Sequence, residues 1–572
     1  MLTASEQQGG IADAGEAGLA LESRAAPIRT TASTRWQRDP QAAQAAVPDG
    51  AATRVAPAAF DQGANRFFVN VTSSIAYVVL NTVLMIWYVP FLIGHLGLAA
   101  YGMVALVNAL LMILAVVTDS LTGGTFRYLA IDLNRGDAPA AMRTFNTALA
   151  LAVIGCGVIL LPIAATAYYL PTLFRIPLEL VAETRFLLLS TSLLAFTALL
   201  GGTFGASSLI AHRFDLRNIV RALTTLGRVG IVALCFMIWP ASLWHVGAGM
   251  IAAALLGLAG DMILWKRLTP QLGIQPRLID SSQFRPLIGI SGWTAVNTVG
   301  ALLLMQVDLL VVNAFFGSEM TGRYGSIILL PTLIYTLMEA VIPILSPAIM
   351  ASYATGDIAG LRRTALQSVR LLALILALPV GLLCGLGRPL LSLWLGPSFA
   401  DLDIILIFLV CHLTVTLATR PLSYVLTAHN KVKLQGLVTL ALGVANIALV
   451  VALARYSSFG AAGVAAAGAL AWTVRNGVFI STYSATLMGL RWHAFYGPLA
   501  LGVGVAVAIA MAGQVSARLW WPSDWFSLAT TAAAISLAYC GLAYAIGLTA
   551  AERALLRGLA KRWTSRSPRH TP

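Results

Sequence analysis

Seven ionisable side chains stand in stretches that are otherwise apolar: Arg228, Arg370, Arg420 and Arg475, and the carboxylates Asp119, Asp308 and Glu339. Arginine stays charged in any surroundings and takes oxyanion oxygens in pairs, so arginines in such a setting suit the capture of a phosphate. Arg420, beside the helix-bending Pro421, and Arg475 lie furthest inside their stretches. Arg228 and Arg370 stand close enough to a stretch end to snorkel to an interface instead. The acids suit two roles, carriage of a proton or sodium ion or the holding of a gate through buried pairs. Arg127 follows Asp119 by eight residues, which on a helix separates them by about 12 Å along the axis, so each needs a partner on another helix. His412 reads as a neutral histidine bonded to a neighbouring helix. Cys156, Cys235, Cys384, Cys411 and Cys540 show no CxxC pair and read as helix packing. No catalytic residue, metal ligand or cofactor is expected.

The elements that must position these groups follow from composition. The 572 residues are 58% hydrophobic and 10% charged, against about 25% charged in a soluble chain. Apolar runs of about 20 residues recur, each able to cross the hydrocarbon layer as a helix. The pattern predicts an all-α polytopic membrane protein of fourteen spans, from 67–93 to 525–548, with twelve if the last pair is miscounted. Spans 2, 5 and 6 are expected at 101–123, 218–239 and 243–265. With the N-terminus inside, inner loops hold fifteen arginines and lysines, Arg213, Arg217 and Arg221 among them, and outer loops six. That asymmetry places both termini in the cytoplasm. Asp261 is expected at the membrane interface beside Lys266 and Arg267. The net charge of +14 sits in short loops and tails, so nucleic acid is not an expected partner. No loop is long enough for a soluble catalytic domain.

The chain resembles itself at a register near 220 residues. "GDAPAAMRT" from Gly136 recurs as "GDIAGLRRT" from Gly356, and Gly97 recurs at Gly317. Tyr101-Gly102 and Tyr324-Gly325 match at 223, and Ala211-His212 and Ala428-His429 at 217. Six spans separate the copies, which implies two six-helix lobes related by a pseudo-two-fold along the membrane normal. The expected organisation is a disordered cytoplasmic tail (1–60), lobes at 61–286 and 287–485, a two-helix appendage (486–550) and a basic cytoplasmic tail (551–572). At this register Asp119 falls on Glu339. Pro331, Pro343 and Pro347 interrupt span 8 and Gly123-Gly124 loosens span 2, as helices lining a cavity tolerate.

Leu96-Gly97, Tyr101-Gly102, Asp119 and Arg127, then Asp308, Gly317 and Tyr324-Gly325, are the residues through which the chain resembles polysaccharide flippases. These form the Wzx-like branch of the multidrug/oligosaccharidyl-lipid/polysaccharide exporter superfamily. The resemblance covers roughly residues 65 to 490. It implies carriage of an undecaprenyl-diphosphate-linked oligosaccharide between leaflets of the bacterial inner membrane for exopolysaccharide export, by alternating access of two lobes. The implied partners are that lipid-linked oligosaccharide, membrane lipid, a coupling proton or sodium ion, and polysaccharide polymerase or export machinery.

Two other readings compete. A multidrug or metabolite cation antiporter of the same superfamily would want a cavity rich in acids, whereas arginines predominate within these spans. A membrane polymerase or glycosyltransferase would bring a sizeable outer loop or a loop-borne acidic motif. The longest outer loops here, near 171–185 and 387–401, are short.

Overall fold

The computed structural model describes residues 57–112, 115–284 and 292–544. Residues 1–66 form a separate unit, and the account below is of the unit from residue 67 onward. Apart from the helical residues 57–60, the expected tails at 1–60 and 551–572 lie outside the described residues.

In lipid every backbone N–H and C=O must find a partner within the segment, and an apolar chain satisfies that demand as helix. Twelve helical stretches among the described residues are long and apolar enough to cross a membrane. One of them, Ala295–Ala354, runs 60 residues. Straight, it would measure about 90 Å, three times the hydrocarbon thickness, so it must double back. It turns at Gly317, whose φ of 85° ends one helix and starts another. A further crossing is made by Leu98–Met112 with Ala115–Asn134. Fourteen crossings result among the described residues.

In chain order, span 1 is Val69–Leu96 and span 2 the pair just named. Spans 3 to 6 are Ala138–Leu173, Val181–Ile210, Phe214–Ile238 and Leu243–Leu268. Span 7 covers 292–316, and span 8 covers 318–354 with a 3-10 stretch at Ile342–Leu345 that holds Pro343 and is followed by Pro347 in the first turn of the next helical segment. Spans 9 to 12 are Ile358–Trp394, Pro397–Ala418 continued by Leu422–Ala428, Val432–Tyr456 and Ala461–Leu487. Tyr496–Leu519 and Trp525–Leu542 complete the set.

The two lobes repeat each other at three turns. Gly97 and Gly317 take φ of 79° and 85°, and Gly136 and Gly356 take 72° and 71°. Asp137 and Asp357 follow as matching N-caps, accepting from Ala140 N at 2.9 Å and Gly360 N at 2.8 Å. His212 and Asn430, both left-handed, close spans 4 and 10 with the same bonds, Arg213 N to Ser208 O and Lys431 N to Leu426 O. The offset is therefore 218 residues here, one more than the Ala-His likeness implied, because the turn geometry and not the side-chain pair is what repeats.

Spans 2 and 8 meet on the pseudo-two-fold. A Cβ added to Gly102 would strike the Ser318 carbonyl oxygen, and one added to Gly322 would strike the Leu98 carbonyl oxygen. Leu98 and Ser318 are themselves 220 residues apart, so this crossing is symmetric, and only glycine allows backbones so close. Gly325 packs on Ala105 at the same offset. The Tyr-Gly match at 223 is accordingly replaced by 220. Three hydrogen bonds tie the lobes at this turn end. Arg175 donates from N to Asn313 Oδ1 at 3.0 Å and from Nη1 to Phe315 O at 2.9 Å, and Trp394 Nε1 donates to Ile86 O at 2.8 Å. The arginine-rich loops lie at the opposite, basic end.

Candidate functional site

A polar seam runs down span 8 into the second lobe. Tyr324, Ile328, Pro331, Tyr335 and Glu339 recur at helical spacing, so the polar groups of Tyr324, Tyr335 and Glu339 share one face, about three turns and then one turn apart. Near the turn end, Tyr324 donates to Asp308 Oδ2 of span 7 at 3.3 Å, while Asp308 Oδ1 is buried without a partner. Both line a cavity of about 70 Å³ with Tyr335, His412 and Trp472. The Tyr335 hydroxyl is also buried and unpartnered. His412 Nδ1 lies 3.1 Å from Thr416 Oγ1 and the ring is parallel to Trp472. Its hydrogen bond is thus within its own span, and the neighbouring helix supplies an aromatic face.

Deeper in the lobe, Arg475 is 3% exposed. It donates from Nε to Thr439 Oγ1 at 2.9 Å, from Nη1 to Asn476 Oδ1 at 2.8 Å and from Nη2 to Asn297 Oδ1 at 3.2 Å. The local sequence explains the reach. Gly300 and Gly443 bring spans 7 and 11 into backbone contact, which carries Asn297 to Thr439. Span 12 takes a π-helical turn at Val474–Ile480, and one extra residue swings Arg475 inward. Sequence reasoning set Arg475 on the transport cavity as a substrate cation. The structure instead buries it as the hub tying spans 7, 11 and 12.

Arg420 and Glu339 form the exposed end of the seam. Arg420 Nη2 donates to Glu339 Oε1 at 2.9 Å, with the side chains 40% and 53% exposed. Span 10 breaks at Thr419–Pro421, where bonds shorten to the i−3 pattern, and this turns Arg420 toward span 8. Of the seven ionisable groups in the spans, the structure brings together Glu339 with Arg420.

Arg228, half-buried, points Nη2 at Met85 Sδ of span 1 at 3.7 Å and leaves Nε without a partner. Arg370 is half-buried on span 9 and Arg127 exposed near the basic end of span 2. Asp119 is on span 2, but its side chain lies outside the described residues.

Sequence reasoning missed a cavity of about 360 Å³ in the first lobe, lined by Arg217, Arg221, Asp261, Tyr77 and Thr122 among others. Asp261 was expected at the interface beside Lys266 and Arg267. Its carboxylate lines this cavity, with Oδ2 2.6 Å from where a Cβ on Gly201 would be and Oδ1 3.5 Å from one on Gly205. The signal available was the pair of close glycines one helix away, which leaves room that an ordinary side chain would fill.

No family model matches the chain. The fold is similar to that of the lipid II flippase MurJ in an inward closed conformation, over 83% of this chain and 99% of that one, at 12% identity and a TM-score of 0.60. It is also similar to an inward-facing multidrug resistance MATE family transporter of the MOP superfamily, over 75% and 96%, at 15% identity and a TM-score of 0.54. Two six-helix lobes about a symmetric crossing therefore define a multi-pass membrane protein with the fold of MATE and MurJ. At the level of sequence the chain is 31% identical over 495 residues to the uncharacterized membrane protein EpsK of Bacillus subtilis (strain 168), covering 86% of this chain and 97% of EpsK. It belongs to the EpsK family.

Proposed function

We propose that this protein is a flippase of the Wzx-like kind, carrying an undecaprenyl-diphosphate-linked oligosaccharide across the bacterial inner membrane by alternating access, with both termini cytoplasmic. The observation that carries the reading is the Arg420–Glu339 pair, half-exposed between spans 10 and 8. A charged pair on membrane-spanning helices is expensive unless it faces water or a charged ligand. A diphosphate entering between the lobes would take the Arg420 fork from Glu339, exchanging one anion for another without leaving an arginine unpaired. MurJ, similar in fold over nearly its whole length, is by its description a flippase of lipid II. The reaction is transport, with no covalent chemistry.

Asp308 supplies a place for a coupling ion. Its unpartnered Oδ1 and the unpartnered Tyr335 hydroxyl face a cavity of about 70 Å³. One water needs about 10–15 Å³ on that measure, so a sodium ion with part of its hydration, or a proton with a few waters, would fit. A polymerase or export complex would take the product at the outer leaflet. Deleting the gene should accumulate a lipid-linked oligosaccharide in the inner leaflet, and restoring Arg420→Ala should leave that accumulation in place. Export restored in full by Arg420→Ala, with Asp308→Asn abolishing efflux of an organic cation, would replace this reading with the antiporter.

A further inference from the structure

The cavity of the first lobe carries a second, separate assignment. Arg217 and Arg221 are four residues apart on span 5 and so share a helix face. They line the cavity together with Asp261 of span 6 and hydroxyls from Thr224 and Tyr77. Among the described residues Asp261 makes no ion pair within 4.0 Å, and neither arginine does. Two guanidinium groups and one carboxylate thus stand in one hollow, without a salt bridge and with an excess of one positive charge. The hollow is near the basic end, since Arg217 is in the first turn of span 5 and Asp261 in the last two turns of span 6. Glycines at 201, 202, 205 and 257 line it and keep it open. At about 360 Å³ it exceeds by far what one water needs.

We propose that this cavity is a phosphate-binding site, in which Arg217 and Arg221 take one tetrahedral oxyanion and Asp261 limits how tightly it is held. Arginine forks at adjacent turns match the oxygens of a phosphate, and the Tyr77 hydroxyl supplies a further donor. Asp261 stands as a like charge to the ligand, so the site releases what it binds. The assignment is independent of the seam in the second lobe and does not require that the transported substrate be a diphosphate. The phosphate comes either from the headgroup of an anionic lipid or from free phosphate at the basic end.

The test uses the full chain in nanodiscs, titrated with inorganic phosphate and read by phosphorus NMR line broadening. In phosphatidylcholine discs the expected result is saturable binding. Arg217→Gln and Arg221→Gln should each weaken it by about tenfold or more, the scale of one charge-assisted hydrogen bond. Asp261→Asn should tighten it severalfold, and Arg143→Gln, an exposed charge elsewhere in the lobe, should leave it unchanged. Gly257→Leu fills the hollow without touching a charge, since a Cβ there meets only Thr224 at 3.5 Å or more, and should weaken binding even if an arginine variant fails to fold. Phosphatidylglycerol in the disc that competes with inorganic phosphate identifies a lipid headgroup as the occupant; no competition identifies free phosphate. Absence of saturable phosphate binding in both discs would overturn the proposal. So would loss of binding in Asp261→Asn with the arginine variants unaffected, the pattern of a cation site.

Discussion

The two lobes are built on one plan and use it differently. By the offsets of 220 and 218 residues, Asn297, Thr439 and Arg475 of the second lobe stand where the first lobe has Tyr77, Arg221 and Gly257. Arg420 and Ser423 stand where it has Gly202 and Gly205. In the second lobe Asn297, Thr439 and Arg475 form a dry hydrogen-bonded network around a buried arginine, while Arg420 pairs with Glu339. In the first, all five counterparts line an open cavity. The difference teaches that the cation is not fixed to one helix. Moving it from span 12 to span 5, with a glycine left behind at 257, changes a brace into a hollow while the backbone plan is kept.

The largest effect is expected where the lobes are most alike, at the crossing on their shared axis. Gly102→Val would drive a side chain into the backbone of Ser318, which no rotamer change relieves. Overpacking of this kind costs about 3 kcal/mol, enough to shift a two-state balance about a hundredfold. Spin labels at Leu178 and Ser398, on either lobe at the turn end, should move apart, and transport should fall to background. An unchanged distance would break the symmetric crossing as the contact that holds this state.

Next come the two positions at which the lobes differ most. Arg475→Ala leaves buried acceptors on Thr439, Asn297 and Asn476 and should cost about 1–3 kcal/mol in detergent unfolding. Arg475→Lys should not rescue it, since an ammonium cannot span three acceptors in one plane. At the equivalent site Gly257→Ala should stabilise by about 0.5–1 kcal/mol, because it removes a glycine from a helix and meets only ordinary contacts. Equal signs at the two sites would mean that the cavity is not open as described.

Much of the scaffold was legible because hydropathy, glycine at a left-handed turn and an Asp N-cap are all local signals. The lobes, the fourteen crossings and the 220-residue register follow from them. What escaped reading was spatial. Arg217 counted as a loop charge because the apolar window opens at 218 while the helix itself starts at Phe214, and Arg221, one turn inside that window, was grouped with it. The π turn that buries Arg475 is one residue of excess length in span 12 relative to span 6, which no composition window detects. The exchange of Gly257 for Arg475 decides whether a lobe is braced or hollow, and it becomes visible only when the two copies are superposed.

A smaller effect should be shared equally. Asp137→Ala and Asp357→Ala each remove an N-cap bond of nearly the same length, 2.9 and 2.8 Å. Each should cost about 1 kcal/mol, and the double variant should show the sum, since distant sites add. A marked inequality between the two would show that the lobes differ in stability as well as in their interiors.

The smallest effect on stability is expected at the Arg420–Glu339 pair, for which the first lobe has Gly202 and, at the register of Glu339, Asp119. Both partners are more than a third exposed, so a double-mutant cycle should give a coupling of only about 0.2–1 kcal/mol. A pair worth so little to the fold is a weak brace, and its presence on membrane-spanning helices needs another cause. Exchanging the residues, Arg420→Glu with Glu339→Arg, separates the causes: the charge pair is regained and the stability with it, but the cation now sits on span 8 and the anion on span 10. If Arg420 receives a diphosphate, the exchanged protein should unfold like the wild type and still fail to transport. Transport restored together with stability would reduce the pair to a gate latch.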